Sequence, residues 1–168
     1  MEVATARVKE LRDQSGAGIM ACRNALIEAE GDTEKALQIL KERGILKAQK
    51  KSERVTDQGL IEAYIHTGGR IGAMVEVNCE TDFVARTDEF KNLAHDLAMQ
   101  VAAMPPQFIT KDEITADKDD AELQTVCLFL QPYIKDPTRT VQDIVTETIA
   151  KVGENIRVSR FARFELGE

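Results

Sequence analysis

Along the first 44 residues, apolar positions recur at helical spacing in three stretches. Val8 and Leu11 mark the first, which stops at Ser15-Gly16-Ala17-Gly18. Ile19, Cys22, Leu26 and Ala29 mark the second, ended by Gly31. Asp32 suits the N-cap of the third, where Ala36, Leu37 and Leu40 form a stripe before Gly44. Three such stripes can bury one another, predicting a helical module over residues 1–44. Apolar residues then thin out, predicting a connector over 45–57 that is helical in part.

The period changes next. Ile61, Ala63 and Ile65 alternate, Thr67-Gly68-Gly69-Arg70 offers a turn, and Ile71, Ala73, Val75 and Val77 alternate again, which predicts a β-hairpin. With Asp88 as N-cap, Phe90, Leu93, Ala94, Leu97 and Val101 share one helical face that Pro105-Pro106 terminates. Residues 107–125 are polar, with a capping-box pattern from Thr110 to Glu113. The apolar run 126–130, bounded by Pro132, predicts a short strand. Val141, Ile144, Val145, Thr148, Ile149 and Val152 predict an amphipathic helix opened by Thr140 and closed by Gly153. Ile156, Val158, Ala162 and Phe164 predict a final strand, with Arg160 on the same face pointing to a bulge or an edge. The expectation is an α+β protein whose core, residues 58–168, is an antiparallel sheet packed with helices.

Composition narrows the function. The 168 residues suffice for one domain, or one with a small appendage. A net charge of −7, with aromatics at 5% and no Trp, argues against a general nucleic-acid or anionic-membrane binder and against a base-stacking platform. No basic-then-apolar leader is visible, and the longest apolar runs are about five residues, far short of the ~20 a membrane span needs. Cys22, Cys79 and Cys127 are odd in number and lack a CxxC pair, as expected of reduced thiols in a cytoplasmic protein. Charge is uneven. Lys41, Arg43, Lys47, Lys50, Lys51 and Arg54 face only Glu42 and Glu53, a local +4 that leaves −11 elsewhere. A solvated linker is the plain reading of that stretch, a specific basic contact the sharper one.

Candidate chemistry is sparse. Gly16-Ala17-Gly18-Ile19-Met20-Ala21 matches GxGxxA, but a helical segment precedes it where a dinucleotide site needs a strand. No GxxxxGK[ST] loop occurs, so the chain is not expected to bind nucleotide itself, and no spacing suggests a zinc site. Cys79 with His66 or His95 is the one candidate catalytic dyad, against the commoner role of Cys as a small buried hydrophobe. The most unusual segment is Asn78-Cys79-Glu80-Thr81-Asp82-Phe83-Val84-Ala85-Arg86. Periodicity favours core packing for Phe83, seven residues before Phe90; the alternative exposes Asp82-Phe83 at a strand-to-helix corner, where an aromatic can enter a partner's pocket.

The segments Val8-Lys9-Glu10-Leu11-Arg12 and Gly16-Ala17-Gly18-Ile19-Met20-Ala21-Cys22 resemble the N-terminal signature of the bacterial elongation factor Ts family. Glu76-Val77-Asn78-Cys79-Glu80-Thr81-Asp82-Phe83-Val84-Ala85-Arg86 resembles its core signature. Gln131-Pro132-Tyr133-Ile134, Gly153-Glu154-Asn155-Ile156 and the ending Arg163-Phe164-Glu165-Leu166 follow in order. The resemblance implies an N-terminal three-helix module like a ubiquitin-associated (UBA-like) domain, then an antiparallel-sheet core, both gripping the GTPase elongation factor Tu. It implies a guanine-nucleotide exchange factor that is not an enzyme and needs no cofactor. Thr81, Asp82, Phe83 and Val84 match the motif that disturbs the partner's Mg²⁺ site. Leu11, Arg12, Ile19 and Met20 match docking positions, Ile19 standing where Met is frequent; His66 and Ile134 fall in segments that resemble further contact regions. Between Asp117 and Val126 the family carries a longer helical excursion, and longer members contain a second core-like half, so a homodimer of this short form is left open. The competing readings are an adaptor that binds through the N-terminal module without exchange, and a small cysteine hydrolase.

Overall fold

The computed structural model describes residues 4–115 and 118–167. Three helices come first: α1 (Thr5–Ser15), α2 (Ile19–Glu28) and α3 (Thr33–Gln49). The hairpin β1 (Gln58–Ile65) and β2 (Ile71–Cys79) leads into the short α4 (Asp82–Ala85) and the long α5 (Asp88–Ala103). After α6 (Asp120–Val126) the chain makes the small ribbon β3 (Pro132–Tyr133) and β4 (Asp136–Thr140), then α7 (Val141–Val152) and β5 (Ile156–Glu165). Helices plus an antiparallel sheet make the fold α+β, as expected. Asp117, where the shortened stretch begins, lies outside the described residues.

There are two hydrophobic cores. In the first, Val8, Leu11, Cys22, Ala25, Leu26, Ala29 and Ala36 interlock α1, α2 and α3. Gly16 takes a left-handed conformation to close α1, its N–H donating to the Arg12 carbonyl at 2.8 Å. Asp32 caps α3 as expected, accepting from the Lys35 N–H at 3.1 Å. Gly44 does not end α3: the helix continues through it to Gln49. The extra turn is held by tertiary contact, because Ala48 packs on the second core; just before Gly44, Lys41 pairs with Asp143 of α7 at 3.1 Å. Packing outweighs the intrinsic cost of one interior glycine.

The second core lies between the sheet, in strand order β1-β2-β5, and helices α5 and α7. Ala73, Val75, Val77 and Cys79 of β2 meet Phe90, Leu93, Leu97 and Val101 of α5, with Val145 and Ile149 of α7 beside them. Thr87, not Asp88, caps α5: its hydroxyl accepts from the Phe90 N–H at 3.3 Å, and Asp88 and Glu89 sit in the first turn, where their charges suit the helix dipole. Thr140 and Asp143 form a reciprocal capping box at the start of α7, and left-handed Gly153 closes it.

Two strand expectations change. The run 126–130 is no strand: it is the end of α6, a single bridge between Cys127 and Phe108, and a 3₁₀ turn over Leu128–Leu130. Cys127 and Leu128 are fully buried there, and a short apolar run reads alike whether it is buried as strand or turn. In β5 the expected bulge is present: Val77 faces Val158 but Glu76 faces Arg160, leaving Ser159 as the extra residue. The bulge flips the alternation, so Ile156 and Val158 point inward while Arg160, Ala162 and Phe164 point outward.

The outward face of the sheet is therefore apolar and exposed toward the hairpin turn, where Ile65, Met74 and Phe164 lie. Its rows, read across β1, β2 and β5, are Gly59-Asn78-Arg157, Ile61-Glu76-Arg160, Ala63-Met74-Ala162 and Ile65-Gly72-Phe164, polar at the first end and apolar at the last. Gly72 keeps a groove open between Ile65 and Phe164; a Cβ there would lie 2.7 Å from the Ile65 side chain.

A Cβ added at Gly44 meets only the Ala150 methyl, at an ordinary 3.8 Å. Gly44→Ala is thus expected to stabilise the protein by about 0.5–1 kcal/mol, whereas at a left-handed helix end it would destabilise. Urea unfolding of the two proteins reads the sign.

Candidate functional site

Strand β2 ends at Cys79, and the chain turns through Glu80 and Thr81 into α4. Thr81 is the N-cap, its hydroxyl accepting from the Val84 N–H at 3.4 Å. Val84 is buried in the second core, which turns the preceding side chain away: Phe83 is 78% exposed, the most exposed large hydrophobic residue of the described chain. Core packing of Phe83 is thereby overturned. The helical relation to Phe90 fails because α4 stops at Ala85 and the chain breaks direction before α5. Asp82 flanks the ring and pairs with Arg86 at 2.7 Å, one turn on.

A second turn grips this corner. Just past the end of α7, both oxygens of the Glu154 carboxylate accept from Thr81: one from its N–H at 3.0 Å, the other from its hydroxyl at 2.6 Å. The next N–H, of Asn155, donates to Glu80 at 2.7 Å. The Asn155 side chain, nearly buried, donates to the carbonyls of Ser52 (3.2 Å) and Arg54 (3.0 Å). Lys51 donates to the Gly153 carbonyl at 2.6 Å, and Arg54 approaches Glu80 at 3.4 Å. Residues 153–155 thus bind the connector on one side and the Thr81 corner on the other. The Gly-Glu-Asn motif is visible in the sequence; its partners, more than 70 residues away, are not.

The basic stretch is used within the chain. Lys41 meets Asp143, Arg43 meets Glu28, Lys51 meets Gly153 and Arg54 meets Glu80, so the charge pins α3 and the connector to their surroundings. Burial, with the nearby Arg54 charge, lowers the Lys51 pKa.

The remaining candidate residues fall in separate places. Ile19 and Met20 stand side by side in the first turn of α2, 56% and 60% exposed, with Arg12 exposed on α1. Ile19 leaves the buried stripe because Ala25 joins it, shifting the buried face around the helix. Leu11 is fully buried at the centre of the first core, so it supports that surface from beneath.

His66 lies beyond β1, where its Nδ1 pairs with the Tyr64 hydroxyl at 3.0 Å; the Tyr64 ring also meets His95 edge-on, and His95 pairs with Glu62 at 3.1 Å. Cys79 lies at the other end of the hairpin, since Gln58 pairs with Cys79 and Ile65 with Gly72. Seven residues of strand separate those ends, roughly 23 Å, so His66 and Cys79 form no dyad. Cys79 is buried, its thiol pushed up to about 11 by burial and then by the Glu154 charge, which leaves no nucleophilic thiolate at neutral pH.

Ile134, 37% exposed, projects from the turn between β3 and β4, and its N–H donates to the side-chain carbonyl of Gln100 at 2.8 Å. Gln100 and Gln131 are both fully buried; the Gln100 amide donates to Gln131 (3.1 Å) and to the Pro132 carbonyl (3.2 Å), fixing the Ile134 turn to α5. Tyr133 donates to Asp96 at 2.5 Å, and burial first, then that bond, raises the phenol's pKa.

Among the described residues no group of three or more His, Cys, Asp or Glu could hold a metal ion, and no helix is long and apolar enough to cross a membrane. The arrangement offers exposed apolar side chains on held scaffolds, suited to contact.

The family model described as Elongation factor TS matches residues 19–124. The Elongation factor Ts of Heliobacterium modesticaldum is 47% identical over 195 aligned positions, covering 99% of this chain and 91% of that protein. Its namesake from Carboxydothermus hydrogenoformans is 46% identical, covering 99% and 90%, and that from Thermotoga petrophila is 47% identical, covering 100% and 98%. These alignments run over 195 positions against the 168 residues of this chain, so at least 27 positions have no residue here.

Exposure makes Phe83 dispensable for folding. Phe83→Ala is expected to change stability by less than about 0.5 kcal/mol, whereas Phe90→Ala, which empties the second core, should cost about 3–5 kcal/mol. Chemical denaturation of both variants checks the contrast.

Proposed function

The chain belongs to the elongation factor Ts family, and from that premise we propose that it binds elongation factor Tu·GDP and promotes GDP release, so that GTP can enter during translation elongation. The single observation that best supports a direct part in exchange is Phe83, a rigid aromatic held outward on a corner anchored from both sides. A GTPase holds Mg²⁺ between the nucleotide phosphates and its own oxygen ligands, offsetting charge that would otherwise repel. An inserted ring shifts the element that supplies those ligands, and Asp82 beside it perturbs the local hydrogen bonds and charge. Thr81 and Val84 hold the ring's helix, one by capping it and one by burial.

Arg12, Ile19 and Met20 dock on the partner's nucleotide-binding domain, with Leu11 as the buried support of that surface. His66 and Ile134 provide further contacts on the core. Residues 1–44 act as the UBA-like docking module, 45–57 as the connector and 58–168 as the core that carries the wedge. No covalent bond is made or broken, so the acceleration is allosteric. By linkage, the factor weakens GDP binding by the factor by which GDP weakens its own binding; a coupling of ~4 kcal/mol corresponds to about a thousandfold. Incoming GTP expels the factor by the same reciprocity.

The reading includes a second copy of the chain on the open sheet face. The apolar rows of that face are Ala63-Met74-Ala162 and Ile65-Gly72-Phe164, while its charges, Arg157 and the Glu76–Arg160 pair at 2.6 Å, lie toward the other end. Those two uncharged rows can meet their own copy across a two-fold axis without opposing charges, as two sheets stack in a sandwich.

Two measurements test these statements. Stopped-flow release of fluorescent GDP from elongation factor Tu at fixed Mg²⁺ should accelerate strongly with this protein, and most of the effect should vanish in the folded Asp82→Ala, Phe83→Ala double variant. Binding without acceleration would favour the adaptor reading. Sedimentation should give a dimer for the native chain and a monomer for Met74→Glu; a monomeric native chain sinks the second copy.

A further inference from the structure

We propose that the 153–155 turn is the joint that sets the angle of the Phe83 wedge, with Glu154 as its positioning residue. This role rests on the exchange reading above and adds a part to it.

A helix of four residues cannot fix its own direction, because so short a segment gains too few hydrogen bonds to offset its ordering. The direction of Phe83 must come from what holds the two ends of the corner. On the core side Val84 is buried and Ala85 packs beside it, which seats the C-terminal half of the helix but not its start. On the other side stands the bidentate grip of Glu154 on the N–H and hydroxyl of Thr81. Two anchors on opposite sides define an orientation where one does not.

The turn is itself held. Gly153 closes α7 through its N–H to the Ile149 carbonyl at 3.0 Å, while Lys51 binds the Gly153 carbonyl. Asn155 holds Glu80 with its backbone and the connector with its side chain. The same three residues thus receive the chain arriving from the N-terminal helices and present the corner that carries the wedge. Within the turn, Glu154 grips the wedge side while Gly153 and Asn155 hold the connector, so Glu154 acts on the maximal exchange rate and not on affinity.

The experiment varies the concentration of the full-length chain over a fixed amount of elongation factor Tu·GDP and reads two quantities, the maximal rate of GDP release and the half-saturating concentration. Glu154→Ala should lower the maximal rate by about tenfold or more with half-saturation changed less than about twofold, as expected when a working group is misplaced without loss of the docking surface. Glu154→Gln keeps an acceptor for one Thr81 donor and should recover most of the rate. Adding Thr81→Val to Glu154→Ala should cost no more than the loss of the cap that the hydroxyl also makes to the Val84 N–H, because its contact with Glu154 is already gone. Hydrogen exchange of residues 80–86 in Glu154→Ala should quicken while α7 stays protected, a readout independent of any GTPase.

A Glu154→Ala protein with the native maximal rate, under conditions where Phe83→Ala has lost it, would overturn the assignment. So would a fall in rate matched by weaker half-saturation and faster hydrogen exchange throughout α7, which marks a merely structural role. If the native chain leaves GDP release unchanged, the exchange reading fails and takes the wedge with it. The hydrogen-exchange pattern still separates a grip that orients the corner from one that does not.

Discussion

One helix, α3, has to satisfy two hydrophobic cores at once. Its first half contributes Ala36, Leu37 and Leu40 to the N-terminal cluster, and its second half brings Ala48 to the sheet core. The shared helix makes the position of one core depend on the other. The ionic contacts of Lys41 and Arg43, and the hydrogen bond of Lys51 beyond the helix end, reinforce the same constraint. Exposed ion pairs add little stability singly, so their contribution here is chiefly to direction.

Polar groups carry much of the positioning in the second core. The buried amides of Gln100 and Gln131 are occupied by each other and by backbone carbonyls, and among the described residues no buried side-chain polar atom lacks a partner. A satisfied pair of this kind specifies one arrangement where an apolar pair would tolerate several. It fastens the turn bearing Ile134 as the Glu154 grip fastens the corner bearing Phe83. In both places a partly or fully exposed apolar side chain stands on a backbone whose donors and acceptors are spoken for.

Elements with a strong period are legible in the residue pattern alone: the three N-terminal helices, the hairpin, α5, α7 and the bulged last strand. The misreadings have a common cause, local pattern yielding to distant contact. Gly44 looks like a stop until Ala48 is seen to find the second core. The 126–130 run looks like a strand because burial alone makes it apolar. Phe83 looks buried because its spacing to Phe90 assumes one continuous helix, which the break at Arg86 and Thr87 removes. Within the site, the motif marking the corner is readable from residue order; Glu154, the group that grips it, lies 73 positions from Thr81, beyond any local pattern.

Helix α3 spans 17 residues, so it is a rod about 25 Å long, fixed near one end and carrying the N-terminal helices at the other. A rod held this way acts as a lever. A tilt of about 5° at Gly44, where it rests on α7, swings the tip 11 residues away by about 1.4 Å, roughly a third of the width of an apolar contact. Small repacking around Ala150 is therefore amplified at Ile19 and Met20, and a partner that pulls on those two side chains works the same arm in reverse.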